Sequence, residues 1–442
     1  MRVYIETYGC QMNEYDSGLI RSILESEGNG RARGIEDADV VIVNTCSVRQ
    51  RAETRVIGRL KHLRGLVRED TILGVVGCVA QRMGARLLRD VRGLDFVVGT
   101  DQYWRLPEVL ETVRSGSTAV AADASDTESY DARPAVVESS LREFVSVMRG
   151  CDNYCTYCIV PYVRGRERSR PLGSVRTEVE SLVSLGTREV TLIGQNVNSY
   201  RDGASGFSDL LRAVAEVDGL KRVRFATSHP KDLSDDLIEA VASLDEACEH
   251  IHLPVQSGSS ETLAAMNRGY SRDQYLDLVN RIRARIPDVA LTTDVIVGFP
   301  GETEERFRET LSLMETVRFD SAFMFRYSVR EGTAAADLED DVPEQEKIER
   351  LETVIRLQQR VTTEINGGLA GRTVEVLVEG PSEKDPDLLF GRTRTAKAVV
   401  FPGDPSLAGC IALTEVSRAS AWTLHGREAR QAEGGGRAAR AV

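Results

Sequence analysis

Arg149-Gly150-Cys151-Asp152-Asn153-Tyr154-Cys155-Thr156-Tyr157-Cys158 carries three cysteines at i, i+4 and i+7, directly behind a strand-like run, Phe144-Val145-Ser146-Val147-Met148. Thiolates are the protein ligands that soft iron and zinc prefer. A structural zinc would want a fourth Cys or His close by, yet the next histidine is His229. Three thiolates on one short loop suit a four-iron cluster, which usually takes four ligands. One iron is then left open to another molecule. Small buried thiols are the bland alternative, but free cysteines rarely crowd so closely without a metal or redox role.

Outward from this loop the chain repeats strand and helix. Strands read at Phe144–Met148, Glu189–Ile193, Val223–Thr227, His250–Pro254, Leu291–Val297 and Ala322–Tyr327. Helices fall near Ser174–Leu185, Phe207–Val217, Ser234–Leu244, Arg272–Ile286 and Thr303–Val317. Six such units over residues 141–366 predict a (β/α)6 partial TIM barrel, with active groups at the carboxyl ends of its strands. The cysteine loop lies at such an end. So do Gly194-Gln195-Asn196, Ser228-His229-Pro230, Val255-Gln256-Ser257-Gly258-Ser259 and Gly298-Phe299-Pro300-Gly301-Glu302-Thr303.

Residues 1–115 alternate in the same way and predict an α/β domain with a parallel sheet between helices. Strands are expected at Arg2–Tyr8, Asp39–Thr45, Thr71–Val76 and Asp95–Val98, and helices at Tyr15–Glu27, Val48–Arg64 and Val79–Leu88. Cys10, Cys46 and Cys78 each follow one of the first three strands. In a parallel sheet those carboxyl ends share one edge, where open α/β folds bind ligands. Three cysteines far apart in sequence therefore converge. Each should begin a helix, whose dipole favours thiolate, and together they predict a second cluster.

Residues 116–140 turn polar and read as a linker. A helix from Pro343 to Glu364 has an apolar stripe of Leu351, Val354, Ile355 and Val361, interrupted by Gln358. Residues 367–426 switch to short strands and turns, which predicts a small β-barrel, and 427–442 read as a disordered tail. The 442 residues include no apolar run long enough for a membrane span, and Arg2 enters a strand without secretory architecture, so a cytoplasmic protein is expected. In that compartment eight cysteines point to metal or redox chemistry. The net charge of −12 argues against a general nucleic-acid binder, so RNA would need local basic patches.

Several long motifs carry a resemblance over nearly the whole chain. They are Thr-Tyr-Gly-Cys-Gln-Met-Asn (7–13), Asn-Thr-Cys-Ser-Val-Arg (44–49), Gly-Cys-Val-Ala-Gln (77–81), the cysteine loop, Gly-Gln-Asn-Val-Asn-Ser-Tyr (194–200), Thr-Ser-His-Pro (227–230), Leu-Pro-Val-Gln-Ser-Gly-Ser (253–259) and Val-Gly-Phe-Pro-Gly-Glu-Thr (297–303). With these the chain resembles the methylthiotransferase family of radical S-adenosylmethionine enzymes. Its last module resembles a TRAM domain, a small RNA-binding barrel. Gln11-Met12-Asn13 favours the branch that acts on tRNA bearing N6-isopentenyladenosine at position 37.

The resemblance implies two 4Fe–4S clusters and S-adenosyl-L-methionine. Cys151, Cys155 and Cys158 would hold the cluster that cleaves the cofactor to a radical. Cys10, Cys46 and Cys78 would hold the one that carries sulfur for delivery to C2 of the base. Gln195 and Asn196 occupy the place that holds the cofactor's amino group in such enzymes, and Ser257 and Gly298 the place of its ribose and adenine contacts. Turn and cap chemistry at strand ends explains these four nearly as well. Tyr154 and Tyr157 would shield the cluster. Arg164, Arg166 and Arg168 beside the cluster loop, with Arg392 and Arg394 in the last module, are candidate phosphate clamps, against the alternative of a solvated charged face. Expected partners are the tRNA anticodon arm, an electron donor such as flavodoxin or ferredoxin, and a sulfur or cluster donor. The alternatives are a sister branch acting on threonylcarbamoyladenosine tRNA or a ribosomal protein, a non-catalytic iron–sulfur RNA sensor, and a zinc-stabilised RNA-binding scaffold.

Overall fold

A computed structural model describes residues 1–47, 50–125, 127–131, 139–427, 430 and 431. The N-terminal domain is a parallel sheet of six strands. A two-residue strand, Gly30–Arg31, lies at one edge. Then come β1 (Arg2–Thr7), β2 (Val40–Thr45), β3 (Ile72–Gly77), β4 (Phe96–Val98) and β5 (Ala119–Ala121) in sheet order. β2 is a run of β-branched residues buried on both faces, as a central parallel strand must be. Helix α1 (Gln11–Ser26) packs Leu19, Ile20 and Ile23 on one face, and α2 (Gln50–Leu66) packs Val56, Leu60 and Leu63 on the other. The helix expected over Val79–Leu88 breaks in two, because Gly84 takes φ +49° after α3 (Cys78–Met83). The linker expectation is corrected in part: Ala119–Ala121 completes the sheet, and Tyr130 is buried in the core beside Tyr103. Residue 126 and residues 132–138 of that stretch lie outside the described residues.

Six parallel strands follow in chain order: β6 (Arg142–Ser146), β7 (Glu189–Ile193), β8 (Arg222–Phe225), β9 (His250–His252), β10 (Ala290–Val297) and β11 (Ser321–Arg326). β6–β7–β8 and β9–β10–β11 pair as two three-stranded sets, and a bridge from Val223 to Ala247 joins them. Among the described residues β6 and β11 do not pair, so the barrel is open on one side. The helices Leu172–Ser184, Phe207–Ala215, Asp235–Ser243, Arg272–Arg285 and Glu304–Val317 cover the outside, with one continuous apolar core beneath them. The helix Glu344–Gly367 packs on β11. Its interrupting Gln358 is buried and donates to Phe319 O at 2.7 Å, so the break in the stripe is a satisfied polar contact.

The C-terminal module closes five strands, Thr373–Pro381, Leu389–Thr393, Ala398–Phe401, Ile411–Ala419 and Thr423–Gly426, into a barrel through pairing of the first with the fourth. The tail expectation is corrected at Arg430–Gln431, which pair with Leu413 and Ala412; residues 428, 429 and 432–442 lie outside the described residues.

Charge pairs set the domains against one another. At the amino ends of the central strands, Glu189 meets Arg142, Arg222 and Arg224, and those arginines reach Glu379, Glu375 and the Thr393 and Arg394 carbonyls of the last module. At the other end, Met12 and Tyr15 of α1 pack against Phe144, Ile193 and Ala226. No helix among the described residues is long and apolar enough to cross a membrane.

Candidate cluster and cofactor site

The first trio is assembled by sheet register. Thr7 stands opposite Asn44 and Thr45 opposite Gly77, so the turns carrying Cys10, Cys46 and Cys78 leave one edge together. A polar clasp locks them. Asn13 Nδ2 donates to Asn44 Oδ1 and Thr45 O, both at 3.1 Å, and Asn44 Nδ2 returns a bond to Asn13 O at 2.8 Å. Cys10 caps α1. A hydrogen bond with Cys46 does most to lower its thiol to about 6; burial opposes this, while the Arg164 charge and helix N–H groups assist. Cys78 does begin a helix, but burial pushes its thiol up and outweighs the opposing Arg164 charge. A helix start directly after Cys46 would fall on residues 48 and 49, outside the described residues.

The second trio sits on the loop behind β6. Gly150 has φ +79°, and a methyl there would lie 1.9 Å from Arg166 O, so only glycine lets the loop turn. Gly150 N–H donates to Gln195 Oε1 at 2.6 Å, which ties the loop to the end of β7. Burial pushes Cys151 up to about 11 and Cys158 up to about 12. Neighbouring cysteines raise both further, because three adjacent thiolates repel one another. Hydrogen bonds from the loop and the Arg268 charge offset part of that penalty, and a bound metal cluster would offset more.

The two trios are joined. Ile159 and Val163, just past Cys158, pack against Cys78. Asp16, with no exposed surface, pairs with both Arg149 and Arg164. Arg164 Nε then donates to Cys78 Sγ at 3.3 Å. Arg268 Nη1 likewise donates to Cys155 Sγ at 3.3 Å. From the loop behind β11, Arg330 clamps Ser47, beside Cys46, and Glu53. Asp16, Arg268 and Arg330 were not singled out in the sequence. A polar residue at position 16 on an otherwise apolar helix face is the one local signal, and it does not name a partner.

The candidate cofactor residues separate into two groups. Gln195 and Asn196 lie beside the cysteine loop. Asn196 Nδ2 donates to Asp232 at 2.8 Å, while its buried Oδ1 has no partner. Ser257 is fully buried and bonds Thr310 Oγ1 at 3.3 Å and the Ser259 N–H at 3.2 Å. Gly298 donates to Glu302 Oε2 at 2.5 Å and abuts Lys347. Both of these perform turn chemistry. Ser228 Oγ, His229 Nε2 and Gln256 Oε1, on strand-end loops expected from the sequence but given no cofactor role there, are buried polar atoms without partners. His229 Nδ1 accepts from Lys231 N–H, which leaves the proton on Nε2, and burial holds this imidazole neutral with a pKa of about 2. Thr227 and Gln256 hold φ of +66° and +70°, strain that clusters at binding sites.

Most of the expected phosphate clamps are corrected. Arg164 is spent on Asp16 and Cys78, and Arg168 is buried on Asp101 at 3.0 Å. Arg394 binds Glu249 at 2.8 Å across the domain interface, and Arg392 binds Glu379 at 3.0 Å within its own module. Arg166 alone of the five is well exposed, 72% at its side chain, beside Asp152. Tyr154 is 44% exposed and does not shield the cysteines, whereas Tyr157 packs inward against the cluster of Met266, Phe299, Tyr327 and Ala335. Cys248 is a buried thiol and Cys410 a half-buried one.

The donor set fits the implied groups. Each trio offers three thiols and no fourth ligand, which matches a cluster with an open iron. Among the described residues no three His, Cys, Asp or Glu side chains are placed to hold a single metal ion. The unpartnered Asn196, Ser228, His229 and Gln256 atoms supply donors and acceptors for a polar cofactor beside the second trio.

Known proteins match this architecture. Profiles of three families align with the chain: the Radical SAM superfamily over residues 145–314, Uncharacterized protein family UPF0004 over 2–99 and the TRAM domain over 369–427. Among solved structures, radical S-adenosylmethionine methyltransferase TsrM from Kitasatospora setae, with cobalamin and a 4Fe–4S cluster bound, superposes with TM-score 0.55 at 15% identity, covering 74% of this chain and 72% of that one. The cobalamin-dependent S-adenosylmethionine radical enzyme OxsB gives TM-score 0.51 at 12% identity, covering 79% and 56%. These likenesses show a shared fold. Sequence relatives are nearer. The tRNA-2-methylthio-N(6)-dimethylallyladenosine synthase of Carboxydothermus hydrogenoformans is 48% identical over 96% of this chain and 98% of its own. The synthases of Bacteroides fragilis, 48% identical over 97% and 95%, and Clostridium botulinum, 47% over 96% and 96%, agree. With cysteine trios on both catalytic domains and near-half identity from end to end, this chain belongs to the family of tRNA-2-methylthio-N(6)-dimethylallyladenosine synthases.

Proposed function

We propose that the chain is a radical S-adenosylmethionine methylthiotransferase that places a methylthio group on C2 of N6-isopentenyladenosine next to the tRNA anticodon. The observation that supports this reading is the packing of Cys78, of one trio, against Ile159 and Val163, which directly follow the other, so the two cysteine-bearing elements are neighbours. C2 of the purine bears an unactivated C–H with no useful acidity, so acid–base groups cannot open it. The clusters and S-adenosylmethionine, when bound, supply the one-electron chemistry and the sulfur.

The chain's own residues hold and insulate. Cys151, Cys155 and Cys158 would ligate the cofactor-cleaving cluster, and Cys10, Cys46 and Cys78 the sulfur-carrying one. Arg268 and Arg164 would each donate to one ligand sulfur, a hydrogen bond that helps set a cluster's potential. Gln195 beside the loop and the unpartnered Asn196, Ser228, His229 and Gln256 atoms would bind the cofactor's polar groups. Electrons would come from a donor such as flavodoxin or ferredoxin, and sulfur from a separate donor, in the cytoplasm where tRNA is modified.

The test is reconstituted protein with reductant, S-adenosylmethionine and anticodon stem-loops with and without the isopentenyl group. Methylthiolated product from the isopentenylated RNA alone is expected. Product from threonylcarbamoyladenosine RNA or a ribosomal peptide instead would move the chain to a sister branch. Cys46→Ala should still cleave the cofactor while making no methylthiolated RNA; product from that variant would refute the division between the trios. Arg166→Ala should weaken RNA binding and reduce the salt slope by about 1. An unchanged slope would remove Arg166 from the RNA footprint.

A further inference from the structure

The interior of an (β/α) barrel is ordinarily filled by layers of inward side chains. Here it is not. Along β10 the residues facing the outer helices, Leu291, Thr293, Val295 and Val297, are buried, whereas Thr292, Asp294 and Ile296 on the inner face are only half-buried. His250 and His252 on β9 repeat the alternation about the buried Ile251. Phe323 on β11 stands beside Asp294 in register and is 61% exposed, an uncommon state for a phenylalanine inside a barrel. The His252 ring meets it edge-on at 6.2 Å, and Asp294 Oδ1 lies 3.5 Å from His252 Nε2.

This inner face adjoins apolar groups that neighbour both trios. Ile296, about 7 Å along the strand from Asp294, packs in one apolar group with Tyr157 of the cysteine loop. Met12, two residues past Cys10, packs in another with Phe144. With a net charge of −12 and four of the five candidate arginines committed to internal pairs, contacts to the base itself gain weight in holding an RNA loop.

We propose that the lumen is a purine seat, in which Phe323 stacks on the extruded adenine and Asp294 accepts the single N6–H that a mono-alkylated adenine retains. The proposal rests on the functional reading above and adds its specificity. Aromatic stacking is how proteins hold splayed, unpaired bases. A carboxylate acceptor favours a C6 amine with a hydrogen and rejects a base that cannot donate, because the desolvated oxygen is then left unpaired. His252 orients the carboxylate, so Asp294 and Phe323 form one rigid corner.

The test measures affinity of reconstituted full-length protein, without reductant, for two stem-loops. One carries N6-isopentenyladenosine and the other N6,N6-dimethyladenosine, which has no N6–H. Wild type should prefer the first. Phe323→Leu should weaken that binding by about 5- to 100-fold, and Phe323→Trp should restore it. Asp294→Leu should erase the preference, while Asp294→Asn, which keeps an acceptor oxygen, should keep part of it. S-adenosylmethionine binding should be unchanged in all four. Wild-type RNA affinity in Phe323→Leu would overturn the seat, and so would loss of cofactor rather than RNA affinity, which would put the cofactor's own adenine there. Failure of the functional reading looks different: wild type would bind the first stem-loop and respond to these substitutions, yet yield no methylthiolated product.

Discussion

Cys155→Ala should reduce 5′-deoxyadenosine formation to background and lower bound iron and acid-labile sulfide to the content of one cluster. The effect is all-or-none because the loop has no substitute. On the proposed assignment its three thiols are the whole ligand set, and Arg268, which donates to Cys155 Sγ, is a cation that cannot replace a thiolate. Burial, the largest cause of the raised Cys151 and Cys158 thiols, remains in the variant and still favours their neutral form, although the repulsion from Cys155 is gone. Cys46→Ala serves as the contrast, since it should lose the other cluster and keep the cleavage. Equal cleavage by the Cys155→Ala variant and wild type would reject the assignment of the loop.

The largest expected effect on stability is at Asp16. Asp16→Ala should destabilise the protein by roughly 3–5 kcal/mol, because it strands two buried guanidiniums without their counter-charge. Arg149 and Arg164 have about 1% and 4% of their side chains exposed, so water cannot take over. The same substitution releases Arg164 from its place beside Cys78, and sulfur insertion should suffer more than cofactor cleavage. Denaturant unfolding of the variant and wild type measures the first effect; a difference under 1 kcal/mol would mean that the two arginines find other partners. A pH series tests the electrostatics separately. Burial alone would raise the Asp16 carboxyl, but Arg149 and Arg164 outweigh it and hold the group below its ordinary value. A folded-state pKa below the unfolded one gives stability that is fully present above the ordinary carboxylate range, about pH 4. That stability is lost as pH falls through the lower folded value. The Asp16→Asn variant should lack this acid-limb contribution.

Much of the architecture was legible from pattern. The continuous Val40–Val43 run belongs to a strand buried on both faces, and the strand–helix alternation over residues 141–366 is a partial barrel. The placement of Cys10, Cys46 and Cys78 after successive strands needed only the rule that parallel strands share a carboxyl edge. Other features were not legible. Ala119–Ala121 looked like linker because three residues carry no period; its strand state comes from pairing with Phe96–Val98. Arg164 and Arg168 looked like surface cations because charge and spacing alone do not say which way a side chain points.

Cysteine spacing and strand order, both local properties of the chain, determined that this protein holds two thiol trios at strand ends. Which polar groups serve those trios was decided only by the tertiary structure. Asp16 and Arg164 are 148 residues apart, and Ser47 and Arg330 are 283. A guanidinium becomes a thiol donor or a domain clamp according to the carboxylate, sulfur or carbonyl that folding brings within about 3 Å of it. No local pattern carries that distance.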